Sequence, residues 1–367
     1  MSSPAGNGNS FNVPFEGIAS PEGFDLCWAG PSPLTEGLCF GSVDGRLYFR
    51  NKAGSGEPSS SMSGSVSLGK EAINGVARVG TWIGVSTRSD INFWPLPGTI
   101  GGHADGFSAP VGAHDIVATE SGFFIAPMGD AGIMTASVTG EREPLITVHN
   151  DERNGSYVYK IACLRESSSA EVLACAIRTR GIAVGTFSDP QKLQRMTTAT
   201  FHGLDVVDVC PLAAGTRAAA ALARDGSVIL FEDVMSQSRP LTMKFKKVQG
   251  IAYRLLCYRG EIYVLTSKAL YVLGKLAARF LNGEMRSGVV THILNLQMEA
   301  VDLNIAEGGL LLVVMDHEVR IFNGDLIHGS VPKDDSDGSA EEYRSAVLDR
   351  EWHWNDVEQT ARPLAMA

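Results

Sequence analysis

Short apolar runs separated by tight turns recur along the whole chain. The clearest turns are the Asp-Gly pairs of "LCFGSVDGRLYFRN" and "AALARDGSVILFED", at Asp44-Gly45 and Asp225-Gly226. An Asp-Gly pair between apolar runs favours a two-residue hairpin turn, because both central residues need positive φ. Five more segments fit the same pattern: "VSTRSDINFW", "IAPMGDAGIM", "CAIRTRGIAV", "VLTSKALYVL" and "VVMDHEVRIF". The pattern therefore predicts seven β-hairpins.

One further strand precedes each hairpin, and each carries a polar residue within an apolar run, as in "GFDLCWAG". These polar residues recur about every 46 residues; they are Asp25, Asn74, Asp115, Lys160, Asp208, Arg254 and Asp302. A fourth strand follows most hairpins, for example "PLITVHN" at 144–150, but the slot after the second hairpin is poorly defined in "GTIGGHADGFSAP". Four strands in about 40–50 residues are typical of a propeller blade. We predict an all-β fold: a single seven-bladed β-propeller of four-stranded antiparallel blades over residues 20–331.

This organisation resembles the WD-repeat-like class of propellers over roughly residues 20–331. This sequence lacks the short motifs that are typical of the family's repeats. The third strands end in "YFRN", "LFED" and "IFNG" rather than in a Trp-Asp pair, and there is no regular Gly-His opening pair. The resemblance therefore implies a fold and no particular activity.

Two segments flank the predicted ring. A closed ring leaves no exposed sheet edge, and either "DLIHGSV" (325–331) or the N-terminal segment 1–19 fits the missing strand of the last blade; we favour the N-terminal segment. Residues 332–367 begin with the acidic linker "PKDDSDGSAEE" and end in a tail that fits a helix or an extended strand. Trp352 and Trp354 in this tail either dock back onto the propeller or anchor a partner protein, since tryptophan is enriched in interface hot spots.

Composition limits the range of partners and locations. The chain has 367 residues and a net charge of −10, which argues against binding to nucleic acid or to an anionic membrane. No run approaches the ~18 apolar residues of a membrane span. The six cysteines lie in apolar strand-like segments without a CxxC pair, which favours reduced thiols and a cytoplasmic location.

The seven recurring polar residues are expected to line the central channel. Read in order around the ring, the bases Lys160 and Arg254 alternate with acids, so most charges pair between neighbouring blades, as buried charges must. The arc of Asp302, Asp25 and Asn74 lacks a base. Its oxygens fit a Ca²⁺ ion, or one carboxyl there has a raised pKa beside its like-charged neighbour.

Two functions of different classes fit this sequence. The first is a non-catalytic scaffold or complex subunit that binds other proteins through the propeller faces and the tail. The second is a hydrolase or lyase at the channel mouth that uses Asp25 and Asp302, with or without a metal. No GxSxG elbow, phosphate-binding glycine loop or metal-like histidine spacing is present, which favours the scaffold.

Overall fold

The chain folds into a β-propeller in which each sheet takes most of its strands from consecutive residues. The computed structural model describes residues 10–363 except 21–24, 35–36, 52–63, 97–105, 111, 139–142, 151–156, 166–170, 178–180, 190–191, 202–203, 237–239, 246–247, 285–290, 295, 297–298, 331–351 and 358–359. The described strands fall into seven sheets, which we number in chain order of their innermost strands. The all-β propeller with antiparallel blades is therefore as predicted.

The strand bounds follow the predicted groups. Sheet 1 contains β3 (Leu26–Pro31), β4 (Gly37–Ser42), β5 (Arg46–Asn51) and β6 (Gly64–Ser67); sheet 2 contains β7 (Ile73–Val79), β8 (Trp82–Thr87), β9 (Ile91–Pro95) and β10 (Phe107–Ala109). Sheet 3 contains β11 (Val117–Ala118), β12 (Phe123–Pro127), β13 (Ile133–Ser137), β14 (Leu145–Asn150) and β31 (Thr360–Pro363). Sheet 4 contains β15 (Val158–Arg165), β16 (Glu171–Ile177), β17 (Gly181–Asp189), β18 (Lys192–Phe201) and β30 (Trp352–Val357). Thus β10 occupies the slot that the glycine-rich sequence left undefined.

The remaining sheets complete the propeller. Sheet 5 contains β19 (Val206–Pro211), β20 (Ala219–Ala223), β21 (Val228–Phe231) and β22 (Leu241–Met243). Sheet 6 contains β1 (Ser10–Phe11), β23 (Ala252–Tyr258), β24 (Glu261–Thr266), β25 (Leu270–Leu273) and β26 (Thr291–Leu294), and sheet 7 contains β2 (Phe15–Ala19), β27 (Asp302–Ala306), β28 (Leu310–Val314) and β29 (Glu318–Asn323). Two short helices, α1 (Leu276–Leu281) and α2 (Gly324–Ser330), follow β25 and β29.

The hydrophobic core lies between neighbouring sheets. Each pair of neighbours shares one cluster of buried side chains, from Trp28 and Ile83 between sheets 1 and 2 to Tyr263 and Val313 between sheets 6 and 7. The cluster between sheets 7 and 1 closes the succession. Because each sheet buries both of its faces against neighbours, its strands are apolar throughout rather than alternating.

The N-terminal segment provides the outer strand of sheet 7. β2 pairs antiparallel with β29, from Phe15 opposite Phe322 to Ala19 opposite Glu318. Ile18 is buried in the cluster that joins sheets 7 and 1. Arg50 of β5 also donates a hydrogen bond to Glu16 of β2, with 2.5 Å between nitrogen and oxygen. The second strand of the chain, β2, therefore joins the last sheet to the first.

Residues 325–330 of the alternative closing strand instead belong to helix α2. Asn323 Oδ1 accepts hydrogen bonds from the backbone N–H groups of Asp325 (2.9 Å) and Leu326 (3.3 Å). An asparagine that satisfies free N–H groups in this way is a typical start of a helix. The short polar segment therefore turns away from the sheet edge.

The C-terminal tail docks back onto the outer edges of two neighbouring sheets. β30 pairs antiparallel with β18, and Trp352 and Trp354 lie opposite Phe201 and Ala199. β31 pairs antiparallel with β14. The described residues of this tail are extended, and their backbone covers two edges that would otherwise be open to another chain.

The two faces of the propeller carry different elements. The entry face is the one where the innermost strands begin, and hydrogen bonds tie these beginnings to hairpin turns of the preceding sheet: Leu26 N–H to Asp316 O, Ala113 N–H to Thr87 O and Ala252 N–H to Arg224 O. The exit face is the one where the innermost strands end, and it carries α1 and α2. Helix α2 is tied to the end of β23 by Arg259, whose Nε lies 2.5 Å from Asp325 Oδ1.

Deleting residues 1–19 should destabilise the whole ring. The deletion removes β2 and exposes the surface that Val13 and Ile18 bury, at a cost of about 1.5–3 kcal/mol for each buried side chain. We expect a clearly lower melting temperature and more aggregation, because β29 becomes an open edge. Deleting residues 1–9, which leaves both N-terminal strands intact, is the matched control. Equal melting temperatures for the two deletions would contradict the role of β2.

Candidate functional site: the charged ring of the central channel

Irregularities in the innermost strands fix which residues occupy equivalent positions in the channel. In β15, β19 and β23 the pairing register shifts by one residue, so that one residue of each strand is unpaired. The first paired residue after this shift is Lys160 in β15, Asp208 in β19 and Arg254 in β23. Asp302 holds the same place in β27, opposite Val314. Such a bulge leaves one residue unpaired and re-aims its neighbours. Together with Asp115, which precedes β11, these residues form the charged ring.

Sheets 1 and 2 place uncharged residues at this position. After the register shift in β3, Trp28 pairs with Gly41, and after the shift in β7, Gly75 pairs with Ser86. The predicted members Asp25 and Asn74 are therefore displaced from the ring position, Asp25 by three residues and Asn74 by one. The seven-membered polar ring stays a prediction, and the register of the described strands has Trp28 and Gly75 at the position where it expects Asp25 and Asn74.

Asp25 and Asn74 have other partners. Asp25 precedes β3 on the entry face, with 53% of its side chain exposed, and its Oδ1 lies 3.0 Å from His317 Nδ1. Asn74 is the bulge residue of β7 and donates from Nδ2 to the carbonyl of Ala113 at 2.7 Å. Asp302 pairs with Arg254. The structure therefore does not assemble Asp25, Asn74 and Asp302 into the predicted Ca²⁺ site, and the described residues contain no cluster of three or more metal-ligating side chains.

Two ion pairs in the channel each connect one sheet to its neighbour. Lys160 of sheet 4 donates to Asp115 Oδ2 of sheet 3, and Arg254 of sheet 6 donates to Asp302 Oδ1 of sheet 7. Both carboxylates are largely buried. Removing one member of such a pair leaves an uncompensated buried charge, which costs about 3–5 kcal/mol. The pairs therefore hold neighbouring sheets in register.

Asp208 lies between these pairs and bonds to backbone rather than to a base. Its Oδ1 accepts from Val209 N–H at 2.8 Å and its Oδ2 accepts from Leu255 N–H of sheet 6 at 2.7 Å. Burial raises the pKa of Asp208, although the charges of Lys160 and Arg254 and the two hydrogen bonds oppose the increase. The carboxylate thus joins sheets 5 and 6 directly.

Arg254 stays charged in spite of its position. Burial alone would lower its pKa, but the carboxylates of Asp302, Asp208 and Asp115 raise it above the ordinary value. A guanidinium keeps its proton in proteins under almost all conditions. The charge of Arg254 is therefore a fixed part of the ring.

An aromatic cluster lies beside the ring on the entry face. Tyr157 O–H and His114 Nε2 are 2.5 Å apart, and the ring centroids of Tyr157 and Tyr159 are 4.9 Å apart. Arg224 donates to the hydroxyl of Tyr159 at 3.0 Å, and Tyr253 O–H donates to the carbonyl of Ala300. Sequence reasoning missed Tyr159 and Tyr253 because it followed the polar position and not the bulge residue before it.

A cavity of about 660 Å³ extends from the ring towards the exit face. Trp28, Asp115 and Lys160 line its inner part, and Arg78 and Glu307 belong to its outer lining. The cavity therefore lies on the exit side of the ring, with the ion pair of Lys160 and Asp115 at its inner end.

Comparisons with known proteins identify the fold only. No family model matches the sequence, and no curated protein matches it. Among solved structures, the chain is similar to the WD40 β-propeller domain of Doa1, with a TM-score of 0.56 and 13% sequence identity over 84% of this chain and 95% of that chain. The chain thus has a WD40-like β-propeller fold. Among the described residues, no helix is long and apolar enough to cross a membrane.

The ring predicts different costs for two carboxylates that look alike in sequence. Asp302→Asn removes the buried partner of Arg254 and should lower the free energy of unfolding by about 3–5 kcal/mol. Asp25→Asn changes an exposed residue and should alter it by no more than about 0.5 kcal/mol. Chemical denaturation of the two variants measures both values. A loss of similar size in both would contradict the assignment of the ring.

His114 predicts a loss of stability in mild acid. Burial, with Arg254 and Lys160, lowers the pKa of His114 in the folded protein, while Asp115 acts in the opposite direction. Its stabilising contribution is complete above the unfolded value of about 6.5 and is lost as the pH falls from there through the lowered pKa. In His114→Gln, the melting temperature should therefore fall less between pH 7 and pH 5 than in the wild type. An unchanged pH profile would show that His114 titrates alike in both states.

Proposed function

We propose that the protein is a non-catalytic scaffold that binds other proteins through the entry face of a closed ring of seven blades. The interaction unit is the propeller of residues 20–331, completed by the N-terminal strand. The enzyme alternative required Asp25 and Asp302 to act together, and each of these carboxylates is engaged by a different residue. The charges of the channel are better explained as contacts between sheets.

The observation that carries the proposal is the belt of aromatic and apolar side chains around the entry-face mouth. Ile251, 54% exposed, directly precedes the innermost strand β23. Val301, 38% exposed, directly precedes the ring residue Asp302. Tyr253 lies between them, and the cluster of His114 and Tyr159 continues the belt on the other side of the channel. Aromatic residues with apolar neighbours are typical of interface centres.

Charge supports protein partners over nucleic acid. The net charge of −10 disfavours phosphate backbones, which are bound by a surplus of Lys and Arg. A cytoplasmic location stays a proposal that rests on the spacing of the cysteines. Trp352 and Trp354 stay a predicted second anchor for a partner, now on a strand that already pairs with β18.

The entry face can be tested against the exit face. Ile251→Asp with Val301→Asp places charges in the belt, whereas Leu281→Asp with Leu326→Asp, at exposed apolar residues of α1 and α2, is the matched control. Each variant and the wild type are used as bait in affinity purification from the native cell with quantitative mass spectrometry. We expect the entry-face variant to lose the main partners at least about tenfold, the equivalent of 1.4 kcal/mol, and the control to retain them.

The reverse pattern, with partners lost only in the exit-face variant, would overturn the choice of face. A third bait without residues 333–367 tests the tail. Retention of all partners by that bait would remove Trp352 and Trp354 from the proposal. Thermal melting of every bait separates lost binding from lost folding.

A further inference from the structure

The cavity below the charged ring is bordered by two sheets that carry no charged side chain at the ring position. Gly75 lets the carboxylate of Asp115 approach its backbone, because a Cβ there would lie only 2.5 Å from Asp115 Oδ1. The indole of Trp28 packs over Gly30, where a Cβ would lie 2.5 Å from Cζ2 of the indole. Sheets 1 and 2 therefore contribute an indole and a closely approached glycine, rather than charges, at the ring position.

The walls of the cavity differ in character. Sheets 1 and 2 present Trp28, Pro31, Pro33 and Val76 together with Arg78, while Asp115 and Lys160 come from sheets 3 and 4. The volume of about 660 Å³ lies within the usual range of small-molecule sites, which combine apolar walls with a few placed polar groups. A ligand with an apolar body beside Trp28 and a polar end at Lys160 fits this lining.

The hydrogen-bonding groups at the inner end of the cavity favour a ligand group that accepts hydrogen bonds. Asp115 Oδ1 accepts from Ile116 N–H at 2.9 Å and Oδ2 accepts from Lys160. An ammonium group has three N–H donors, and within the described part of the chain Lys160 gives one of them to Asp115. The amide of Asn304 is engaged at both atoms, by Ala29 O at 3.1 Å and Ile305 N–H at 2.9 Å. Lys160 thus has donors for a ligand where the neighbouring polar groups are already bonded.

The outer part adds a second cation in a fixed position. Arg78 donates from Nε to Gly80 O at 2.9 Å and from Nη1 to Pro33 O at 3.0 Å. These bonds to neutral carbonyls hold the guanidinium in place without neutralising it. Glu307 is the acid of the outer lining. A negative group that enters the cavity therefore passes Arg78 before it meets Lys160.

We propose that this cavity binds a carboxylate-bearing ligand whose carboxylate accepts hydrogen bonds from Lys160 and whose apolar body packs against Trp28. The carboxylate belongs either to a small organic acid or to the C-terminus of a polypeptide. A charge-assisted hydrogen bond to an ammonium is stronger than a neutral one. The site lies on the exit side of the ring and is independent of the entry-face belt.

The experiment uses defined probes on the full chain. Hexanoate and a hexapeptide with apolar C-terminal residues are titrated by calorimetry and by ligand-observed NMR, with hexanamide and the C-terminally amidated peptide as their matched neutral probes. We expect saturable binding of a carboxylate probe and at least about tenfold weaker binding of its amide. Binding of hexanoate would indicate a small organic acid as the ligand. Binding of the peptide acid alone would indicate the C-terminus of a polypeptide.

Two variants locate the binding. Lys160→Met should weaken the carboxylate probe at least about tenfold, but it also unpairs Asp115 and lowers stability. Ala118→Trp, at an exposed lining residue, fills the cavity without changing a charge and should abolish binding. Ala19→Trp, at an exposed residue of β2, is its control and should bind like the wild type. Absence of saturable binding by the wild type, equal affinity for acid and amide, or unchanged binding by Ala118→Trp would each overturn the proposal.

Discussion

The requirement that buried charges be paired governs the centre of this propeller. Lys160 and Arg254 each project from one innermost strand to a carboxylate of a neighbouring sheet, and Asp208 bonds to the backbone of the next sheet. Charged groups in a partly dry channel cost several kcal/mol unless they are paired in this way. Hydrophobic clusters join the sheets outside the channel, but they tolerate sliding better than a directional ion pair does. The charged ring therefore fixes the position of each sheet relative to its neighbour, which the hydrophobic clusters alone would fix less strictly.

Where the ring is interrupted, other features of the protein arise. Sheets 1 and 2 contribute Trp28 and Gly75 instead of charges, and Trp28 and Val76 of these sheets line the cavity on the exit side. The same bulges that aim Lys160 and Arg254 into the channel set Tyr159 and Tyr253 beside it. Structural charges and half-buried tyrosines thus come from adjacent positions of the same strands. One local distortion serves both the stability of the ring and the surface offered to partners.

Sequence periodicity was sufficient for the all-β propeller fold and insufficient for the site. Asp-Gly turns and the repeat of about 46 residues predict the blades, because hairpins and buried strands have local signatures. Asn74 lies one residue before the ring position because a bulge inserts one residue without a local signature, and a shift of one residue changes which face a side chain occupies. Asp25 lies three residues before that position, ahead of β3, which a bulge of one residue does not explain. Counting back from the hairpin turns, rather than aligning the acids, would have found Trp28 and Gly75. The pairing of the tail with β18 and β14 depends on contacts between distant residues that no local pattern records.

The central claim is that the channel charges act between sheets, and a double-mutant cycle on Lys160 and Asp115 tests it most directly. The free energy of unfolding is measured for the wild type, Lys160→Met, Asp115→Asn and the double variant. We predict a coupling energy of about 1–3 kcal/mol, because each single change strands the other charge. Additive losses, with a coupling energy below about 0.5 kcal/mol, would contradict the claim that this pair holds sheets 3 and 4 together.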